Sequence, residues 1–229
     1  MTAALATPEG EAPSLEQGGR VLVVRFARPH AVLSWALLNG GRRRARAVVW
    51  RQVRDDDLVP GVDPLALLTA SLGEEPPEET VGLLTSRDVS TFDDVHLASG
   101  ALSARCVATV GLGNALAAGD EPGPLRSVGT INLLCQVSHP LSESALVEAL
   151  ALGAEARTAA LMEARVPSRR SLRVATGTGT DCIVVAAPEG PGGEQYMGKH
   201  TRLGSLLGGA VREATARGVR RWLEERGMR

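Results

Sequence analysis

Aromatic residues are scarce in this chain: Phe26, Phe92, Trp35, Trp50, Trp222 and Tyr196 make up 3% of its 229 residues. A groove that stacks single-stranded bases needs several rings in succession, so that class of nucleic-acid binder is excluded. Excess positive charge is missing as well, with Lys and Arg at 25 against Asp and Glu at 26, which removes the electrostatic footprint of a phosphate-backbone partner. Long apolar runs are absent. Cys182 to Pro188 and Leu206 to Val211 fall far short of the ~20 residues that span a bilayer, so no membrane helix is expected. The opening MTAALATPEGEAPSLEQGG lacks a basic start and an apolar stretch, and does not read as a secretory signal. Cys106, Cys135 and Cys182 are odd in number, widely spaced and without a CxxC pair. Buried, reduced thiols in a cytoplasmic protein are the expectation, with no protein-bound metal.

What is present fits a soluble globule: 44% of residues are hydrophobic and 22% charged. Residues 1–19 read as a tail and 20–229 as a single domain, a length whose core buries roughly 70–75% of the unfolded surface. Strand signals occupy Arg20 to Arg28 and Ala45 to Val53, a candidate hairpin, then Val81 to Thr85, Val95 to Leu97, Cys106 to Val110 and Val128 to Val137. Asp63-Pro64 opens a short capped helix. A long helix starts after Pro140 with Ser142 as its cap and runs to about Arg165; a second starts at about Thr201 and carries Leu203, Leu206, Leu207, Ala210, Val211 and Ala214 on one face. Gly204, Gly208 and Gly209 weaken that helix in isolation by ~1 kcal/mol each, so a closely packed neighbour is expected. Between the helices, Leu172 to Ala175 and Cys182 to Ala187 read as strands. Strands early and helices late predict an α+β fold, a mixed or antiparallel sheet layered with two long helices in the C-terminal half.

Two glycine motifs imitate nucleotide sites. Gly193 to His200 is one residue from the phosphate loop GxxxxGK[ST], but imidazole replaces the hydroxyl that would hold magnesium, and Gly198 stands eleven residues beyond the strand end at Ala187. A nucleotide-binding protein stays open as an alternative on this motif. Gly111-Leu112-Gly113-Asn114 follows a strand, yet leaves too few residues before the next one for a dinucleotide-binding unit. No GxSxG, HExxH or SxxK is present. What survives is a set of polar bends at the ends of apolar strands: Asn39-Gly40-Gly41, Gly113-Asn114, Gly129 to Asn132, Thr176 to Asp181 and Gly198 to Thr201. Each alone is accounted for as a turn. Together they supply N–H groups and short side chains able to hold a polar ligand or an oxyanion.

The same segments carry a family resemblance. LSWALLNGG (Leu33 to Gly41), VGLLTS (Val81 to Ser86), TVGLGNALAAG (Thr109 to Gly119), GTIN (Gly129 to Asn132), AEARTAAL (Ala154 to Leu161), ATGTGTD (Ala175 to Asp181) and YMGKHTRLG (Tyr196 to Gly204) resemble the adenosylcobinamide amidohydrolases of cobalamin salvage, from about residue 30 to 218. The resemblance implies hydrolysis of the amide between the aminopropanol arm and the corrin ring, giving adenosylcobyric acid. It implies a corrinoid small-molecule partner whose cobalt arrives within the substrate. A corrinoid-binding module without turnover is the alternative, and an oligomer is compatible with either.

Amide hydrolysis needs an activated nucleophile, donors for the tetrahedral oxyanion and an acid for the departing amine. His200, titrating near neutrality at a helix start, is a candidate acid/base, or else a histidine satisfied by backbone hydrogen bonds. Asp181 enters an apolar strand, where a carboxylate must be paired or hydrogen-bonded; it is a candidate to orient His200 or activate water, or else caps its own turn. Glu155, within the resembling helix segment, completes the candidate trio, against the plain reading of a solvated helix face. Asn39, Asn114, Thr130, Asn132, Thr176, Thr178 and Thr180 are candidate substrate-binding residues.

Overall fold

The computed structural model describes residues 14–123 and 128–228. Ten strands follow in order, β1 (Ser14–Gly18), β2 (Val21–Ser34), β3 (Gly41–Gln52), β4 (Thr80–Thr85), β5 (Asp93–Ser99), β6 (Leu102–Val110), β7 (Ala115–Leu116), β8 (Ile131–Val137), β9 (Gly177–Thr178) and β10 (Cys182–Pro188). The helices are α1 (Pro64–Thr69), α2 (Glu143–Glu163) and α3 (Arg202–Glu224). The architecture is α+β with a mixed sheet, as the sequence indicates. The sheet runs β4-β3-β2-β10-β8-β6-β5, with β1 alongside the first half of β2. β3 with β4 and β8 with β10 are parallel pairs; the other pairings are antiparallel.

The helix ends follow the side-chain chemistry. Ser142 caps α2 by accepting from the Ala145 amide at 3.1 Å, with Glu143 in the first turn complementing the helix dipole. Thr201 caps α3 in the same manner, accepting from the Gly204 amide at 3.0 Å, and Asp63 caps α1 through the Leu65 amide at 2.9 Å. Contact explains Gly204, where a methyl group would come within 2.4 Å of the Met197 carbonyl; at Gly208 a methyl group would meet Leu152 of α2 at an ordinary packing distance of 3.5 Å. Continuing through Gly218, α3 reaches Glu224 without a break.

Period-two alternation along the strands gives the sheet two apolar faces. On one, Cys106, Ala108 and Val110 of β6, Leu133 and Cys135 of β8 and Ile183 and Val185 of β10 meet α2 and α3. On the other, Leu22, Val24 and Val32 of β2, Val48 and Trp50 of β3 and Leu83 of β4 meet Val107, Leu134 and Val184. Strands far apart in hydrogen-bonding order therefore share one core, so the sheet curls around it. The Asn132 amide of β8 donates to the Leu84 carbonyl of β4 at 2.8 Å, although three strands separate them in the sheet. The curled sheet leaves an opening lined by chain that follows β2, β3 and β4 and by the segments that lead into β8 and β10.

Two expectations are corrected. Of the tail expected over 1–19, Ser14–Gly18 forms β1 and pairs antiparallel with β2; residues 1–13 lie outside the described residues. Leu172 to Ala175 forms no strand. Val174 makes a single bridge to Pro167, the intervening residues bend back with the Ser168 amide donating to the Arg173 carbonyl, and Leu172 is exposed. No helix among the described residues is long and apolar enough to cross a membrane.

At the opposite end of the second core, His30 is buried against Phe26 and next to Gln136, 3.2 Å from its ring. Burial pushes this imidazole below its ordinary value of 6.5, against the pull of the Arg28 carbonyl. The folded state thus prefers the neutral ring, while the unfolded chain takes up a proton once the pH falls through 6.5. Stability is complete above that value and declines below it. Urea midpoints measured at about pH 7.5 and about pH 5.5 are expected to fall more for the parent chain than for His30→Gln.

Candidate active site

The open end of the curled sheet holds a cavity of about 540 Å³. Asn114, Thr130, Asn132, Thr180 and Asp181 contribute to its floor, while Trp35, Leu37, Leu58 and Val128 contribute to its apolar walls. The floor is built from three bends. The segment before β8 brings Thr130, the chain after β6 brings Asn114, and the Gly/Thr bend before β10 brings Thr180 and Asp181. β7 and β9 pair antiparallel and clip the last two of these together, with the Gly179 amide donating to the Asn114 carbonyl at 3.1 Å.

Asp181 organises this end of the molecule. One carboxylate oxygen accepts from the Ile131 amide at 3.2 Å and from the Thr178 hydroxyl; the other accepts from the Thr178 amide at 2.9 Å and from the Arg157 guanidinium of α2. Both partners of the ion pair are nearly enclosed, with side-chain exposures of 13% for Arg157 and 7% for Asp181. Burial pushes the Asp181 carboxyl above the usual carboxylate value, while Arg157, Thr178 and Ile131 pull it back. Gly177 makes room for the group: a methyl there would sit 2.5 Å from its oxygen.

The neighbouring polar groups divide by what they touch. The Thr130 hydroxyl donates to the Thr180 carbonyl at 3.0 Å, the Thr180 hydroxyl donates to the Gly129 carbonyl at 3.2 Å, and the two hydroxyls meet. Asn132 commits its side-chain nitrogen to the Leu84 carbonyl and is among the residues that line the cavity. Asn114 lines the cavity, is 5% exposed, and its buried side-chain nitrogen has no hydrogen-bond partner among the described residues. The Cys182 thiol also lines the cavity, but burial pushes it up to about 12, so it is protonated near neutrality and unsuited as a nucleophile.

Other candidates lie elsewhere. Thr176 sits behind the floor, its hydroxyl accepting from the Ala118 amide at 2.9 Å, and Thr178 is committed to Asp181. Asn39, at a positive φ of 56°, donates to the carbonyls of Pro77 at 2.6 Å and Thr80 at 2.7 Å; it fixes the β2–β3 connection and is not among the cavity-lining residues. His200 is exposed, its ring 6.5 Å from that of Tyr196, and it does not line the cavity. Glu155 pairs with Lys199 at 2.6 Å beside a separate depression between α2 and α3. Glu155 and Arg157 leave α2 about 200° apart, since each helical residue turns about 100°, and only Arg157 reaches Asp181. The trio of His200, Asp181 and Glu155 is thus not assembled in one cavity. Lys199, which a phosphate loop would turn over its own amides, is held by α2 instead.

Sequence reasoning misses Arg157 and Trp35 as site residues. The requirement that Asp181 be paired announces an unnamed cation, and AEARTAAL contains one, but nothing local selects it among 24 arginines. Because the pair is enclosed, breaking it strands a charge. Arg157→Met is expected to lose about 3–5 kcal/mol of unfolding free energy in urea, and Arg157→Met combined with Asp181→Asn to lose less than Arg157→Met alone.

A family model described as adenosylcobinamide amidohydrolase matches residues 9–227. The chain is similar to an adenosylcobinamide amidohydrolase of Halobacterium salinarum, 36% identical over 126 residues, which are 48% of this chain and 50% of that protein. It is also similar to an uncharacterised protein of Methanocaldococcus jannaschii, 35% identical over 92 residues, 40% of this chain and 36% of that one. The matched stretches span half or less of the length of these relatives.

Proposed function

This chain belongs to the adenosylcobinamide amidohydrolase family, and we propose that it hydrolyses the amide joining an aminopropanol arm to a corrin ring, releasing the amine and leaving a corrinoid carboxylic acid, adenosylcobyric acid when the ring carries adenosyl. The cobalt enters with the substrate. The observation that supports this reading most is the gathering of Asn114, Thr130, Asn132, Thr180 and Asp181, from bends distant in sequence, into the lining of one cavity.

The chemistry assigns roles by what is left free. Among the described residues that line the cavity, Asp181 is the ionisable group besides the protonated Cys182, and burial raises its proton affinity. All four of its acceptor positions are taken, and the Thr178 hydroxyl is the donor that can rotate away, unlike the two backbone amides. Asp181 then accepts a proton from water as the water oxygen bonds to the amide carbon. The carbonyl oxygen, now carrying the charge, takes its hydrogen bond from the Asn114 side chain, whose buried nitrogen must turn from Gly179 toward the cavity to donate. When the carbon–nitrogen bond breaks, the same proton passes from Asp181 to the departing amine, and the bases balance. His200 and Glu155 have no step in this scheme. The saturation of Asp181 favours a second reading, a corrinoid-binding module without turnover.

Incubation of the folded protein with adenosylcobinamide and measurement of released aminopropanol decides between the two; binding without release leaves only the module. In the hydrolytic case, Asn114→Leu is expected to lower kcat by about 10²–10³-fold, the usual consequence of removing one oxyanion donor. Asp181→Asn abolishes turnover, whereas His200→Ala and Glu155→Gln stay within about threefold of the parent, as befits positions off the reacting atoms. Loss of turnover in a folded His200→Ala protein would move the chemistry away from the cavity.

A further inference from the structure

The mouth of the cavity carries exposed apolar side chains. Trp35 and Leu37 are each 49% exposed and Leu58 is 39% exposed, and all three line the cavity. They come from two separate stretches, the β2–β3 connection and the chain after β3, so their juxtaposition is made by the fold. A contiguous exposed apolar rim around a polar floor marks a surface that receives a ligand.

The rim is also fixed in place. The Trp35 indole N–H donates to the backbone carbonyl of Asp181 at 2.5 Å. Leu38 pairs with Gly82 of β4 through amide–carbonyl bonds of 3.3 and 3.1 Å, and Asn39 ties the same connection to Pro77 and Thr80. An exposed tryptophan held by its nitrogen, on a connection anchored at both sides, loses little freedom when a ligand covers it. Size completes the argument. A cavity of about 540 Å³ is in the range that encloses a drug-sized molecule; a corrin ring bearing its amide arms exceeds that, so only one arm and its ring edge enter.

We propose that Trp35, with Leu37 and Leu58, forms the platform on which the apolar face of the corrin ring rests, and that the Trp35–Asp181 hydrogen bond sets the reacting arm over the floor. The inference rests on the corrinoid reading of this cavity and names the residues that hold the ring. Trp35 is a positioning residue: its ring binds, and its N–H keeps the Asp181 bend in register with the bound macrocycle.

The test uses the full chain and adenosylcobinamide, with Kd from corrinoid absorbance titration and kcat and KM from aminopropanol release. Trp35→Ala is expected to raise Kd and KM together by about tenfold or more, the loss of one buried aromatic contact. Trp35→Phe keeps a ring and loses the N–H, so Kd stays within about threefold while kcat falls, a split that a merely structural residue would not produce. Leu37→Ser, which leaves the Asp181 carbonyl bond in place, raises KM with kcat unchanged and serves if Trp35→Ala fails to fold. Leu65→Ser, on the exposed side of α1 away from the cavity, leaves every constant unchanged. Parent-like Kd and KM in both Trp35→Ala and Leu37→Ser overturn the platform while leaving the hydrolase reading intact. Absence of both binding and release in the parent chain overturns the corrinoid reading, and the platform with it.

Discussion

A buried charge pair fixes the geometry of the functional end of this molecule. The Asp181 carboxylate stands at the entrance to a strand whose every residue is buried, and it is tolerable there only because Arg157 neutralises it and Thr178 and Ile131 fill its remaining lone pairs. Those donors come from α2, from the bend before β10 and from the first residue of β8. One side chain therefore holds a helix, a loop and a parallel strand pair in fixed relation. The interaction contributes little net stability compared with an apolar filling of the same space, but it leaves a single arrangement in which all four donors are satisfied.

The curl of the sheet gives that arrangement a space to act in. A flat sheet of this order would leave the second apolar face in water and place β4 remote from β8. Curling buries Trp50, Leu83, Leu134 and Val184 against one another and brings Leu84 within hydrogen-bonding distance of Asn132. Hydrophobic closure forms most of the cylinder, and at its open end the strands run out of apolar residues and into Gly, Thr and Asn. The polar floor lies where the apolar alternation stops, which is why backbone and short side chains line it in place of long charged ones.

Elements whose signals are local were legible in the sequence. Ser142 after Pro140, Thr201 before a run of leucines and Asp63 before Pro64 each cap the helix that their hydrogen-bonding chemistry requires. The bends rich in Gly, Thr and Asn were legible as strand ends, and the idea that several share a cleft describes where Asn114, Thr130, Asn132, Thr180 and Asp181 lie. What was not legible depends on distance. His200 has the chemistry of an acid/base and sits near glycines, but loop composition does not say which side of α2 the loop crosses. Asn39 has the composition of a binding turn, yet its amide is spent on two carbonyls that only the return of β4 brings near. Leu172 to Ala175 has strand composition but makes a single bridge, between Val174 and Pro167.

The two halves of the site answer different physical demands, and Trp35 joins them. Cleaving an amide requires a few polar groups held without slack, which a buried, saturated carboxylate and backbone amides supply. Gripping a broad, largely apolar ring requires exposed area, which a cavity of about 540 Å³ cannot enclose and a rim can. Such a rim is costly to leave in water, and Trp35 is half exposed there. Its indole nitrogen spans the two demands, because the acceptor it has found is the backbone of the residue that carries the carboxylate. In the proposed reaction, binding energy gathered at the ring passes through one hydrogen bond to the position of Asp181, so that affinity for a remote, non-reacting part of the substrate becomes orientation at the bond that breaks.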